Sequence, residues 1–93
     1  MDADLPEGWH SEPGPALLTE LKRELHPQHP LWQRPLKLLA LRHDRDDILV
    51  AAGTEVAVVH LTWSRRMEVP GFPSCSLYPD LQAWLAAARA DEA

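Results

Sequence analysis

A chain of 93 residues, 45% hydrophobic and 25% charged, has the composition of one small folded domain and excludes a disordered or fibrous polymer. Its net charge of −5 works against sequence-independent nucleic-acid binding, where lysines and arginines must displace condensed counterions, and makes a basic protein partner the easier expectation. Its one cysteine, Cys75, permits no internal disulfide, no apolar run reaches the roughly 20 residues of a membrane span, and no basic-plus-apolar leader opens the chain, so the expected compartment is the cytoplasm.

Residues 1–14 contain "LPEGWHSEPGP", with a proline or glycine every few positions, and predict an irregular segment ahead of a single small domain over 15–93. Pro15 suits the first position of a helix, and "ALLTELKRELH" places Leu17, Leu18, Leu21 and Leu25 on one stripe. That helix should stop before Pro27, whose ring pushes His26 out of the helical region. "HPQHPLWQRP" then reads as a stiff connector. Three strands follow, "LKLLALRH", "DILVAA" and "EVAVVHLTW".

Glycine at the first central position of a two-residue loop signals a type II′ hairpin, so Gly53 and Thr54 set a register: Ala52 opposite Glu55, Val50 opposite Ala57, Ile48 opposite Val59, Asp47 opposite His60. A two-residue loop at Arg45 and Asp46 would set Asp44 opposite Asp47, His43 opposite Ile48 and Arg42 beside Leu49. Alternation then sends Leu39, Leu41, Ile48, Val50, Ala57, Val59, Leu61 and Trp63 to a core face. The other face receives Leu38, Ala40, Leu49, Ala51, Val56 and Val58, with Arg42, Asp44, Asp47 and His60 towards the strand ends. "RRMEVPGFPSCSLYP" is too rich in proline for a central strand and predicts an extended loop. Pro79 and Asp80 suit the first turn of a last helix, in which Leu81, Trp84, Leu85 and Ala88 form a stripe. The expected fold is α+β: an N-terminal helix, a three-stranded antiparallel meander and a C-terminal helix. The helices cover one sheet face each, or share one face while a second subunit closes the other.

Asp47 beside His60 is the pattern that orients a general base, and the same two residues also make an ordinary cross-strand pair that fixes register; the second reading is preferred. Arg42 would then relieve the repulsion between Asp44 and Asp47. No nucleophile stands at a recognisable spacing: Ser64 lacks the glycine context of a nucleophile elbow. His26 and His29 in "HPQH" are separated by a helix-breaking proline and have no matching Cys/His pair, so no metal is expected, and no cofactor motif is present. Trp63 and Trp84 read as core. Trp9 and Trp32, in proline-bounded segments, join Arg42, Asp44, Arg45 and Asp46 as candidates for partner contact, because aromatic residues dominate binding hot spots.

The stretch "HPLWQRPLKLLALRHDRDDILVAAGTEVAVVHLTWS" resembles a group of short uncharacterised bacterial proteins with His-Pro-Leu, an arginine before a "DxDD" turn, then "VAVVHLTW" and a later tryptophan in the last helix. The likeness spans about residues 29–64 plus Trp84. It implies that Asp47, His60 and Trp63 belong to the scaffold as a unit, and it brings no activity with it. The function expected is that of a non-enzymatic protein-interaction module, as an inhibitor or immunity-type protein of a basic partner and potentially as a homodimer. The alternatives are a structural or accessory subunit of a larger assembly and a small acid-base hydrolase using His60 and Asp47.

Overall fold

In a computed structural model, which describes residues 5, 6, 8–11, 15–42, 47–64, 66–69 and 72–92, the described elements run α1 (Pro15–Glu24), β1 (Leu36–Arg42), β2 (Asp47–Ala52), β3 (Glu55–His60), β4 (Ser74–Tyr78) and α2 (Leu81–Glu92). The strands form one antiparallel sheet in the order β1-β2-β3-β4. The class is α+β as expected, and the sheet has four strands where three were expected. Prolines stand at 70, 73 and 79, on either side of "SCSLY" and not within it, so nothing prevents those five residues from pairing with β3 at the sheet edge.

The hairpin β2–β3 follows from its turn. Gly53 has a φ of 68° and Thr54 is not left-handed, as a type II′ loop requires, and all the expected pairs are present, including Asp47 with His60. The β1–β2 register differs: Leu41 opposes Ile48, Ala40 opposes Leu49 and Arg42 opposes Asp47. The intervening loop is therefore four residues long, not two; His43, Asp44, Arg45 and Asp46 lie outside the described residues. A register shift of two keeps each side chain on its face, so Leu41 and Ala40 sit where alternation put them. A bulge between Leu38 and Ala40 does not, since one extra residue inverts the pattern beyond it. Leu38 consequently packs with Leu41 and Val50, and Leu39 with Ala40 and Leu49, the reverse of the alternation argument.

One helix covers each face. Leu17, Leu18, Leu21 and Leu25 of α1 and its continuation pack with Leu31, Ile48, Val50, Ala57, Val59 and Leu61. Trp84 and Leu85 of α2 pack with Ala40, Leu49 and Val56 on the other face. Asp80 caps α2 from just outside it: its Oδ1 accepts the Ala83 N–H at 2.8 Å. The described part of the N-terminal segment is docked rather than free. Trp9 meets Trp84 edge to face at 5.1 Å, and His10 bonds to Leu41 through both main-chain groups at the outer edge of β1.

Candidate functional site

Two carboxylates of α1 occupy core-facing positions. Positions 17, 20, 21, 24 and 25 follow the spacing of a buried helix stripe, and glutamates stand at the second and fourth of them. Glu24 is 0% and Glu20 3% exposed. Glu24 ends the helix, where its side chain reaches the chain leaving β3: Oε1 accepts the Thr62 N–H at 3.0 Å and Oε2 the Trp63 N–H at 2.9 Å. Its main-chain oxygen accepts the Glu68 N–H at 2.9 Å. Burial, and then the neighbouring Glu20 carboxyl, hold Glu24 above the usual carboxylate range, while the N–H groups of Thr62 and Trp63 pull it the other way. Arg23 lies 4.0 Å from Glu20, at the solvent side of the pair.

This acid fixes the loop between β3 and β4. Thr62 adds a brace, its Oγ1 accepting the Ser64 N–H at 3.3 Å and donating to Glu68 Oε1 at 3.4 Å. Trp63 takes a φ of 59°, a left-handed conformation that costs a bulky residue roughly 1 to 3 kcal/mol and persists only where the surroundings impose it. The Glu24 bond to its N–H is that imposition. The conformation turns the indole outwards: Trp63 is 43% exposed and the expectation that it joins the core is wrong, because β3 ends at His60, Leu61 is the last residue to reach the core, and the backbone is left-handed at Trp63. Met67, Val69 and Phe72 of the same loop are exposed too.

A polar row crosses the sheet on the α2 face, formed by Arg42, Asp47, His60 and Ser74 in register. His60 Nδ1 lies 2.8 Å from Asp47 Oδ1, so Asp47 and His60 pair as the hairpin register requires. The imidazole is 57% exposed, and no hydrogen bond joins it to Ser74 among the described residues. Arg42 is half-buried beneath the N-terminal turn: a Cβ at Gly8, whose φ is 91°, would stand 3.2 Å from Arg42 Nε. Arg42 is thus covered in part by that turn. A double-mutant cycle on Asp47→Asn and His60→Gln is expected to give a coupling of about 0.2 to 1 kcal/mol in urea unfolding, the range for cross-strand pairs.

The remaining candidates divide. Trp9, with Leu5, packs on the Trp84 core, so its contact is intramolecular. Trp32 is half-buried against the α1-side core and walls an open cleft of about 460 Å³ with Lys22, Leu25 and Leu36. Arg34, also at that cleft, is committed to the hairpin: its Nη2 donates to Ala52 O at 2.6 Å and to Glu55 Oε1 at 2.8 Å. Asp44, Arg45 and Asp46 fall outside the described residues.

The chain matches no family model, no curated protein and no solved structure. What it can do rests on the geometry alone.

His29 is a satisfied core histidine. Leu31 N–H donates to its Nδ1 at 3.0 Å, which leaves the proton on Nε2 for the Pro73 carbonyl at 2.9 Å and ties the connector to the entry of β4. Burial pushes the Cys75 thiol up, away from the thiolate that nucleophilic or metal chemistry needs. Among the described residues no three His, Cys, Asp or Glu side chains converge as a metal would require, and no helix is long and apolar enough to cross a membrane. Sequence reasoning overlooked the Glu20/Glu24 pair and the exposed loop it holds. The available signal was glutamate at stripe positions of α1.

Proposed function

We propose that the chain is a protein-interaction module whose contact surface is the loop from Trp63 to Phe72. The observation that carries this reading is Trp63 itself, a large aromatic side chain held facing solvent by a strained backbone and a buried acid. A protein that kept tryptophan only for stability would bury it. Strain maintained in order to display an apolar ring is the signature of a binding position. Met67, Val69 and Phe72, each half or more exposed, widen the apolar surface around it.

The contact is apolar before it is electrostatic. Arg66 is exposed within the loop and Glu68 is half-buried, so the acidity of the whole chain is not gathered there. A basic partner would have to find its carboxylates elsewhere on the surface. The exposed His60, with no nucleophile bonded to it, supports a register pair over a catalytic one.

The test is photo-crosslinking in cells that carry the chain, with a photoreactive residue at position 63, 67 or 72, and at Lys37 on β1 as control. A discrete heterologous adduct from the loop positions and none from Lys37 is expected. Trp63→Ser should abolish the adduct formed from position 67 while leaving the melting temperature within a few degrees. Equal labelling from all four positions, or an adduct indifferent to Trp63, would refute the loop as the contact surface.

A further inference from the structure

The two edges of the sheet are treated differently. β1 carries three protections against strand addition: the His10 bonds to Leu41 at 2.9 and 2.8 Å, the bulge after Leu38, and the exposed Lys37. β4 carries none. Its five residues include no charge and no proline, and Ser74, Ser76 and Leu77 are exposed.

The direction of its main-chain groups follows from the hairpin. A two-residue loop makes Ala52 and Glu55 a hydrogen-bonded pair, so in β3 Glu55, Ala57 and Val59 turn their N–H and C=O groups to β2, and Val56, Val58 and His60 turn theirs to β4. In β4 the partners Tyr78, Ser76 and Ser74 therefore face β3, and Cys75 and Leu77 point their main-chain groups away from the sheet. Among the described residues those outward groups have no partner.

We propose that β4 seats a second copy of this chain, antiparallel, about a two-fold axis at Ser76. In that register Cys75 of each copy opposes Leu77 of the other as a hydrogen-bonded pair, and the two Ser76 residues face each other as the non-hydrogen-bonded pair between them. All four outward N–H groups and carbonyls are then satisfied by their own symmetry mates. On the α1 face the half-buried Cys75 meets the partly exposed Leu77, apolar against apolar, and no charge of either copy enters the strand. An isologous edge of this kind needs no other protein to complete it. The proposal stands independently of any partner at the Trp63 loop.

Register-specific disulfide trapping tests it. Directly opposite, non-hydrogen-bonded positions on antiparallel strands approach to about 4.5 Å between Cα atoms, close enough for a disulfide. In a Cys75→Ser background, Ser76→Cys should form an intermolecular disulfide under oxidised glutathione on the order of tenfold faster than Ser74→Cys, whose counterpart across the axis is Tyr78. Leu77→Lys should leave the circular dichroism and melting temperature of the monomer unchanged and remove the concentration dependence that wild type shows in sedimentation equilibrium. Equal trapping at 74 and 76, no trapping at either, or a wild-type chain monomeric up to millimolar concentration would overturn the proposal.

Discussion

Glu24→Ala is expected to destabilise the protein by roughly 2 to 4 kcal/mol, as measured by urea unfolding. The substitution removes both acceptors from the Thr62 and Trp63 N–H groups. Each partly buried amide left unmatched costs about 1 to 3 kcal/mol, and release of a carboxyl from burial offsets part of that sum. Glu24→Gln keeps the volume and one acceptor and should cost about half as much.

The two variants also separate the pH dependence. Glu24 holds its proton more tightly in the folded chain than in the unfolded one. Between the two values the native state binds more protons, so this contribution is complete below the ordinary carboxylate range and is lost as pH rises through the raised value. Wild-type stability should therefore decline relative to Glu24→Gln on passing from acid towards neutral pH. A difference that stayed constant across that interval would show an unshifted carboxyl, and one that grew in favour of wild type would show that the folded chain holds Glu24 ionised.

Trp84→Ala is the second large effect, expected to cost about 3 to 5 kcal/mol because it empties the centre of the α2-side core. Trp84 is 3% exposed and touches both the sheet and the ring of Trp9. Net stability for a domain of this size is about 5 to 15 kcal/mol, so the loss is a large share of it, and the melting temperature should fall by at least roughly 12 °C. Trp9→Ala removes a half-exposed ring and should cost less. In the double variant the two should couple by about 0.5 to 1.5 kcal/mol, the range for an aromatic pair. Strict additivity would mean that Trp9 docks without using Trp84.

The parts of this fold that could be read from sequence are those where one residue type leaves one solution. Gly53 in a two-residue loop fixed β2 against β3 residue by residue, and with it the Asp47–His60 pair. Pro15 and Pro27 bracketed α1. The β1–β2 loop contains no glycine to limit its length, and β1 is apolar on both faces, so neither the four-residue connection nor the bulge at Leu39 left an alternation error to detect. β4 is concealed in the sequence because the prolines at 70, 73 and 79 flank "SCSLY" so closely that the whole stretch reads as too rich in proline for a strand. The strand period does not extend to Trp63, where the backbone turns left-handed three residues past the end of β3. Glu20 and Glu24 give no sign of burial in the sequence, since an acidic residue on a helix is ordinarily solvated, yet both are buried and Glu24 bonds the chain leaving β3.

Glu24 holds the loop in the conformation that displays Trp63, and amide hydrogen exchange followed by NMR tests this most directly. The Thr62 and Trp63 amides are expected to exchange as slowly as those of Val58 and Val59 in β3, and to accelerate in Glu24→Gln while the β3 amides stay protected. Exchange of both amides at free-chain rates in the wild type would contradict it, for the loop would then be unanchored and the exposed indole without a fixed position.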